Sequence, residues 1–158
     1  MSLSSPRTFY RRKLPHLQRD DKPHFITFVT HRRAILAGWA RDIVLASCIH
    51  DHATCYRLHA AVVMPEHVHL MLTPLIDLRR QRVYALPEIL DAIKGASSHM
   101  INKRRGSRGT VWQDESFDHV LRSSESLDQK IQYVMENPVR RGLAADSTRY
   151  RWLWCSLE

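Results

Sequence analysis

Long apolar runs are missing from this chain of 158 residues. No window approaches the roughly 20 consecutive apolar residues that a membrane-spanning helix needs, and the N-terminus lacks the apolar core of a signal peptide. Cysteine is scarce, since Cys48, Cys55 and Cys155 are odd in number and follow no Cys-x-x-Cys spacing. We therefore expect free thiols in a reducing compartment, and neither a disulfide framework nor a cysteine zinc site.

Acidic residues are also few: 16 Asp and Glu stand against 24 Lys and Arg, which gives a formal net charge of +8. This imbalance favours an acidic partner, most simply nucleic acid or an anionic membrane surface. A basic protein without such a partner is the plain alternative. The apolar share of 44% is ordinary, and the length suffices for one domain with a hydrophobic core.

One short motif places two histidines inside a run that otherwise indicates a buried strand. Strand side chains alternate between faces, so His67 and His69 share one face while Val68 and Leu70 point to the other. Two neighbouring imidazoles on one face can bind a divalent cation. Two hydrogen-bonded histidines on a sheet face are the structural alternative.

A second motif near the C-terminus combines a tyrosine and an asparagine. Ser126 and Gln129 fit a capping box at the start of a helix, and Pro138 predicts that this helix ends near Asn137. Tyr133 and Asn137 are four residues apart and would share one helix face. A tyrosine hydroxyl is a possible nucleophile, and an amide oxygen suits a hard cation. From spacing alone, a half-buried core tyrosine is the better explanation of this pattern.

Together, the stretches MPEHVHLMLTP and YVMENPVRRGL resemble the REP-associated tyrosine transposases. These belong to the HUH superfamily of single-strand DNA endonucleases and transposases, named for two histidines that flank a hydrophobic residue. The resemblance extends from about residue 15 to the C-terminus and includes RLHAAVVMPEHVH, ILDAIKGASSHMIN, VWQDESFDHVLR and YRWLWCS. Several motifs in family order are more specific than His-x-His alone.

The resemblance implies cleavage and rejoining of single-stranded DNA, with hairpins of palindromic repeats as substrate. Tyr133 matches the nucleophile, which would hold a 5′-phosphotyrosine and release a 3′-hydroxyl. His67, His69 and Asn137 match the ligands of Mg²⁺ or Mn²⁺. Glu66 stands where many relatives have Asn, and it adds negative charge beside the expected metal site.

Basic residues cluster in four places: the N-terminal arm, the loop after the histidine strand, the second helix with its end, and the surroundings of Tyr133. We predict that they hold the DNA backbone through phosphate contacts, with solvated surface charge as the alternative reading. The predicted DNA-contacting residues are Arg11, Arg12, Lys13, Arg79, Arg80, Lys94, Lys103, Arg104, Arg105, Lys130, Arg140 and Arg141.

The order of predicted elements is strand, helix, strand, strand, helix, strand and helix. This order predicts an α+β fold with a ferredoxin-like β-α-β-β-α-β antiparallel sheet and an added C-terminal helix that carries the tyrosine. We expect a basic N-terminal arm over residues 1–22 and a single HUH transposase-like domain over residues 23–158. Residues 114–116 are expected to form an acidic bend between two short strands.

Three functions remain open at this point. The first is a transposase that acts as a monomer or homodimer, as a cytoplasmic, nucleoid-associated protein of bacterial type without a membrane partner. The second is a non-catalytic protein, descended from a transposase, that still binds hairpin DNA. The third is a zinc hydrolase with water as nucleophile, which the absence of an obvious third histidine or carboxylate cluster disfavours. A membrane-surface role has only the basic charge in its support.

Overall fold

The structure, a computed structural model, describes residues 22–157. Its helices and strands are β1 (His24–Thr30), α1 (Gly38–His50), β2 (Tyr56–Val63), β3 (His67–Pro74), β4 (Ile76–Asp77), β5 (Arg82–Val83), α2 (Leu86–Arg105), β6 (Trp112–Val120), α3 (Leu127–Arg140) and β7 (Leu153–Cys155). Short 3-10 turns occupy His31–Arg33 and Ser147–Arg149. Of the predicted N-terminal arm only Lys22 is described, so that boundary stays a prediction.

The main sheet has five strands in the order β6-β1-β3-β2-β7. Every neighbouring pair in it is antiparallel, and β3 lies at the centre between β1 and β2. The four strands of the β-α-β-β-α-β plan are β1, β2, β3 and β6; they lie in the ferredoxin-like order β6-β1-β3-β2, and α3 is the added C-terminal helix. The predicted fold class is therefore confirmed. The strands β4 and β5 form a separate small hairpin.

Each face of the sheet packs against its own helices because strand side chains alternate in direction. On one face, Leu70 of β3 packs in a core with Val44 of α1 and Ile93 of α2. On the other face, Met71 packs with Val134 of α3. Fully burying such a side chain contributes roughly 1.5–3 kcal/mol. The histidines of β3 share the face of Met71, so α3 covers the face that carries them.

The chain end forms a fifth strand that the sequence pattern did not predict. β7 pairs with β2, and its three residues are too few to show a strand periodicity. The aromatic C-terminal segment therefore packs onto the sheet. The hydroxyl of Tyr150 donates to the carbonyl of Val63 at 2.7 Å, and the indole of Trp152 donates to Asp42 at 2.8 Å.

Two predicted boundaries differ from the observed ones. The expected bend at residues 114–116 lies within one continuous strand, β6, whose pairing with β1 shifts register between Phe28 and Thr30. A β-bulge of this kind absorbs extra residues without ending the strand. Helix α3 runs through Pro138 and ends at Arg140, three residues past the predicted end near Asn137, and the missing N–H of Pro138 costs one hydrogen bond in the last turn. No helix within residues 22–157 is long and apolar enough to cross a membrane.

Candidate metal and tyrosine site

The two histidines of β3 face one another on the sheet surface beneath α3. Their Nε2 atoms are 3.1 Å apart, and their ring centroids are 4.6 Å apart. Strand alternation places His67 and His69 on this face, while Val68 between them is fully buried in the opposite core. The structure thus brings the two predicted ligand nitrogens to one point.

The other nitrogen of each ring is held by a neighbouring side chain. The Nδ1 of His67 donates to a carboxylate oxygen of Glu66 at 2.7 Å. The Nδ1 of His69 is hydrogen-bonded to the hydroxyl of Thr27 at 2.7 Å, and the ring of Phe25 stacks on His69 with centroids 5.3 Å apart. Metal-binding histidines are oriented in this way, because a partner on one nitrogen fixes the other toward the cation.

Burial keeps both imidazoles in the neutral form that binds metal. Desolvation, with the nearby His67 and Arg140 adding to it, lowers the pKa of His69 to about 3. Desolvation also lowers the pKa of His67, although Glu66 opposes that shift. The pKa of Glu66 falls to about 2, chiefly through its hydrogen bonds to Arg141. At neutral pH the site therefore combines two neutral imidazoles with one carboxylate.

Helix α3 presents Tyr133 beside the histidine pair. The ring centroid of Tyr133 lies 6.3 Å from that of His69 and 5.9 Å from that of Phe25. Tyr133 is 46% exposed, so a large substrate can reach its hydroxyl. The guanidinium carbon of Arg140 lies 4.1 Å from the Tyr133 ring centroid, and Arg140 donates to the Tyr133 carbonyl at 2.8 Å. This pair holds a positive charge against the tyrosine ring.

Asn137 lies one helical turn after Tyr133. It is 7% exposed, and its side-chain amide forms no hydrogen bond with any other residue in the described part of the chain. The described residues also contain no group of three or more His, Cys, Asp or Glu arranged to hold a metal. The predicted ligand set of two imidazole nitrogens and the amide oxygen of Asn137 would suit Mn²⁺ or Mg²⁺, and it stays a prediction.

Three of the predicted DNA-contacting residues lie beside this site. Arg140 stacks on Tyr133, and Arg141, directly after α3, pairs with Glu66. The ammonium nitrogen of Lys130 lies 5.8 Å from the Phe25 ring centroid. Lys130 and Tyr133 also line an open groove together with residues 124–126 and Gln129. Positive charge therefore surrounds the approach to the tyrosine.

Other predicted contacts are engaged within the protein. Arg80, in the β4–β5 turn next to Arg79, forms ion pairs with Asp77 and Glu88. Lys94 directs its ammonium group at the backbone of β6 and donates to the Gln113 carbonyl at 2.7 Å. These contacts are structural, and a role of the same residues in DNA binding stays a prediction.

The remaining predicted contacts lie away from the histidines. Lys103, Arg104 and Arg105 end α2, the helix packed on the opposite face of the sheet, and Arg104 stacks on Trp39 at 4.6 Å. The predicted contacts Arg11, Arg12 and Lys13 lie outside the described residues. The structure therefore brings together His67, His69, Tyr133, Lys130, Arg140 and Arg141, and it separates them from the α2 cluster.

Sequence reasoning missed two residues of β1 that complete the site. Thr27 and Phe25 contact His69 because β1 and β3 pair with Thr27 opposite His69. An isolated threonine within an apolar strand carries no metal signal, and only the register between the two strands reveals its partner. The contact of Glu66 with Arg141 was missed for the same reason, since 75 residues separate the pair.

Comparison with known proteins agrees with the fold and shows the family. The sequence profile of the family described as transposase, IS200-like, matches residues 18–137. A structure of a REP-associated tyrosine transposase bound to a REP hairpin shares the fold, with a TM-score of 0.64 and 21% identity over 85% of this chain and 76% of that one. A putative transposase from Deinococcus radiodurans R1 has a TM-score of 0.48 and 22% identity over 73% of this chain and 88% of that one.

A search of curated protein sequences finds no match. The family match nevertheless covers well over half of the chain, and it includes both histidines of β3 as well as Tyr133 and Asn137. The REP-hairpin complex adds the same overall fold. On this evidence the chain belongs to the family of IS200-like transposases.

Proposed function

We propose that this protein cleaves and rejoins single-stranded DNA at hairpin sites through a covalent 5′-phosphotyrosine on Tyr133. One arrangement supports the proposal above all others. Two facing Nε2 atoms lie 3.1 Å apart, and an accessible tyrosine lies on the helix above them. Membership of a transposase family supports a strand-transfer reaction over simple hydrolysis.

His67, His69 and Asn137 would hold Mg²⁺ or Mn²⁺. A divalent cation held there would polarise the scissile phosphate and stabilise the charge that develops on it. The protein prepares the site by keeping both imidazoles neutral and by holding each Nδ1 in a hydrogen bond. Imidazole is a better ligand for Mn²⁺ than for Mg²⁺, so we expect tighter binding of Mn²⁺.

Tyr133 supplies the nucleophile. A bond forms between its hydroxyl oxygen and phosphorus, and the bond from phosphorus to the 3′-oxygen breaks. The phenol proton passes through water to the leaving 3′-oxygen, which departs as a 3′-hydroxyl. Attack by a 3′-hydroxyl of another strand reverses these steps, so that rejoining needs no ATP because the tyrosyl ester retains the bond energy.

Arg140 and Lys130 assist by charge. The guanidinium of Arg140 stacks on the Tyr133 ring, so it offsets the negative charge of a phosphate that approaches the hydroxyl. Lys130 lies at the groove beside Tyr133, where it would hold the adjoining backbone phosphate. Both residues would contact DNA as it reaches Tyr133. The family resemblance alone does not give their positions beside the tyrosine.

A hairpin substrate is supported by three features together. The chain has a formal net charge of +8, it belongs to a transposase family, and the REP-associated transposase with the same fold was determined bound to a REP hairpin. We therefore propose palindromic-repeat hairpins with single-stranded flanks as substrate, and a nucleoid location. One tyrosine holds one strand end at a time, so two simultaneous cleavages would require a homodimer.

The test is a denaturing gel with labelled single-stranded hairpin DNA from the flanks of this protein's own gene. Wild-type protein with Mn²⁺ or Mg²⁺ is expected to form a protein–DNA adduct that EDTA and Tyr133→Phe abolish. Tyr84→Phe is the matched control and should retain the adduct. Cleavage that survives Tyr133→Phe would replace the proposal with a water-using hydrolase, and hairpin binding without cleavage would replace it with a DNA-binding module.

A further inference from the structure

We propose that Glu66 is a positioning residue that joins the metal-binding histidines to the helix that carries the tyrosine. This inference rests on the proposed function of the same site. Glu66 lies directly before β3, and its carboxylate contacts His67 on one side and Arg141 on the other. One side chain thus connects two elements that are distant in sequence and that must cooperate in the reaction.

The geometry of the carboxylate satisfies both partners at once. One oxygen of Glu66 accepts from the Nδ1 of His67 at 2.7 Å and from a guanidinium nitrogen of Arg141 at 3.2 Å. The second oxygen accepts from the other terminal nitrogen of Arg141, also at 3.2 Å. The side chains of Glu66 and His67 are only 12% and 13% exposed, so the bond between them is sheltered from water. The Arg141 side chain is 44% exposed, so its pair with Glu66 lies at the surface. A two-bond guanidinium–carboxylate pair fixes orientation as well as distance.

On the histidine side, Glu66 determines where the protons lie. An ionised carboxylate only accepts hydrogen bonds, so the Nδ1 of His67 carries a proton and its Nε2 is free. The proton between the two Nε2 atoms then belongs to His69, and the hydroxyl of Thr27 donates to the Nδ1 of His69. Glu66 therefore directs a chain of hydrogen bonds that runs through both predicted ligands.

On the helix side, Glu66 fixes the end of α3. Arg141 follows the last helical residue, and its backbone N–H donates to the carbonyl of Asn137 at 3.0 Å. Tyr133 lies eight residues earlier, about 12 Å along the helix axis. Because the guanidinium is bound to the residue before β3, the pair holds α3 against the strand that carries the histidines. Loss of the pair would let Tyr133 and Asn137 shift relative to His67.

Two variants separate these roles. Glu66→Ala removes both contacts, whereas Arg141→Gln removes the tie to α3 and leaves the bond between Glu66 and His67. Arg151→Gln is the matched control, because Arg151 forms a similar two-bond pair with Asp42 on another part of the molecule. Thermal unfolding identifies any variant that fails to fold, in which case Glu66→Gln replaces Glu66→Ala.

Three measurements follow on the metal-free and metal-loaded protein: imidazole nitrogen NMR shifts, amide hydrogen exchange of α3, and the dissociation constant for Mn²⁺ by calorimetry. For Glu66→Ala we expect mixed protonation of the two His67 nitrogens and about 10- to 100-fold weaker Mn²⁺ binding. For Arg141→Gln we expect unchanged His67 shifts and faster exchange in the last turn of α3. Arg151→Gln should match wild type in all three.

The adduct assay completes the test. At saturating Mn²⁺, Arg141→Gln should form the tyrosyl adduct at least about tenfold more slowly than Arg151→Gln, since small misplacements are costly in catalysis. Unchanged His67 shifts in Glu66→Ala, or unchanged α3 exchange in Arg141→Gln, would overturn the role of Glu66. A wild-type protein that forms no adduct would refute the proposed function instead, and the NMR and exchange results would still decide the role of Glu66.

Discussion

Thr27 contributes to the site through a hydroxyl that can either donate or accept a hydrogen bond. In the metal-free arrangement set by Glu66, it donates to the Nδ1 of His69 at 2.7 Å. If the Nε2 of His69 binds a cation, as proposed, the proton would move to Nδ1, and the hydroxyl could then turn and accept it. Thr27 could thus support His69 in both states, a capacity that a carbonyl or an ammonium group lacks.

Replacing Thr27 with valine is expected to weaken Mn²⁺ binding about tenfold, because the isosteric methyl group cannot accept from the Nδ1 of His69. Thr27→Ser keeps the hydroxyl and should bind Mn²⁺ nearly as well as wild type. Calorimetric titration of the metal-free proteins measures the difference. Equal affinities for the valine and serine variants would show that Thr27 only fills space beside His69.

Individual site residues were predictable from the sequence where local geometry decides their direction. Alternation along one strand places His67 and His69 together, and the spacing of one helical turn places Asn137 near Tyr133. Their outer partners were not predictable, because Thr27 is 42 residues from His69 and Arg141 is 75 residues from Glu66. Those contacts depend on strand register and helix docking, which no local pattern records.

Among the elements, α3 has to be both well packed and open to DNA. Its inner face buries Val134 fully in a cluster with Met71 and Tyr150 on the histidine face of the sheet. Its outer shoulder exposes Tyr133. The packing of Val134 in this cluster fixes the position of Tyr133, because a helix this short has little stability outside its tertiary contacts.

Truncating the buried side chain of Val134 should therefore lower both stability and activity. Val134→Ala is expected to lower the free energy of unfolding by about 1–3 kcal/mol, through lost burial and a small cavity, and to slow adduct formation. Val139→Ala, the same change on the same helix at a 37% exposed position, should cost less than about 0.5 kcal/mol. Urea denaturation measures both. Equal losses in the two variants would contradict this packing account.

The elements followed the sequence where an apolar run is long. The eight residues of β2, Tyr56–Val63, are mostly apolar and indicate a strand without knowledge of its partners. β7 escaped prediction because a three-residue strand has no periodicity. β6 was predicted as two short strands, and its continuity was missed because a register shift depends on the partner strand. Local patterns therefore gave the ferredoxin-like core, and the edge strands depended on tertiary pairing.

At the scale of the whole molecule, the two faces of the sheet have different titration behaviour. The core beneath α1 and α2 buries two weak acids, the thiol of Cys48 and the phenol of Tyr56. The hydroxyl of Tyr56 donates to the backbone carbonyl of Cys48 at 2.7 Å. Burial raises the pKa of Cys48 to about 12 from an ordinary 9.0, and it raises the pKa of Tyr56 above its ordinary 10.0. Both groups are held neutral in the folded protein.

These shifts predict a loss of stability in alkaline solution. The folded pKa values are raised, so the stabilisation is fully present below the unfolded value near pH 9 and declines as the pH rises further. We expect the urea midpoint to fall between pH 8 and pH 11. Tyr56→Phe removes one of the two groups and should flatten the decline while lowering stability at pH 8. A midpoint constant over this range would contradict the burial of ionisable groups.

The distribution of charge over both faces gives a test of how the molecule holds DNA. Lys103, Arg104 and Arg105 lie at the end of α2, across the sheet from Tyr133. A hairpin whose flank reaches the tyrosine would have to wrap past the edge of the sheet to touch them. If it does, replacing all three with glutamine should reduce the slope of log affinity against log salt by about 2 to 3, because each phosphate contact contributes about 0.7–0.9.

A short single strand without a hairpin serves as the control substrate, and its binding and adduct formation should be the same in the triple variant and in wild type. The triple variant should therefore lose salt dependence only in its binding to the hairpin. Fluorescence anisotropy at several salt concentrations measures both affinities. An unchanged slope with the hairpin would show that DNA contacts only the face of Tyr133. The α2 cluster would then be surface charge that stacks on Trp39 and complements the negative end of its helix.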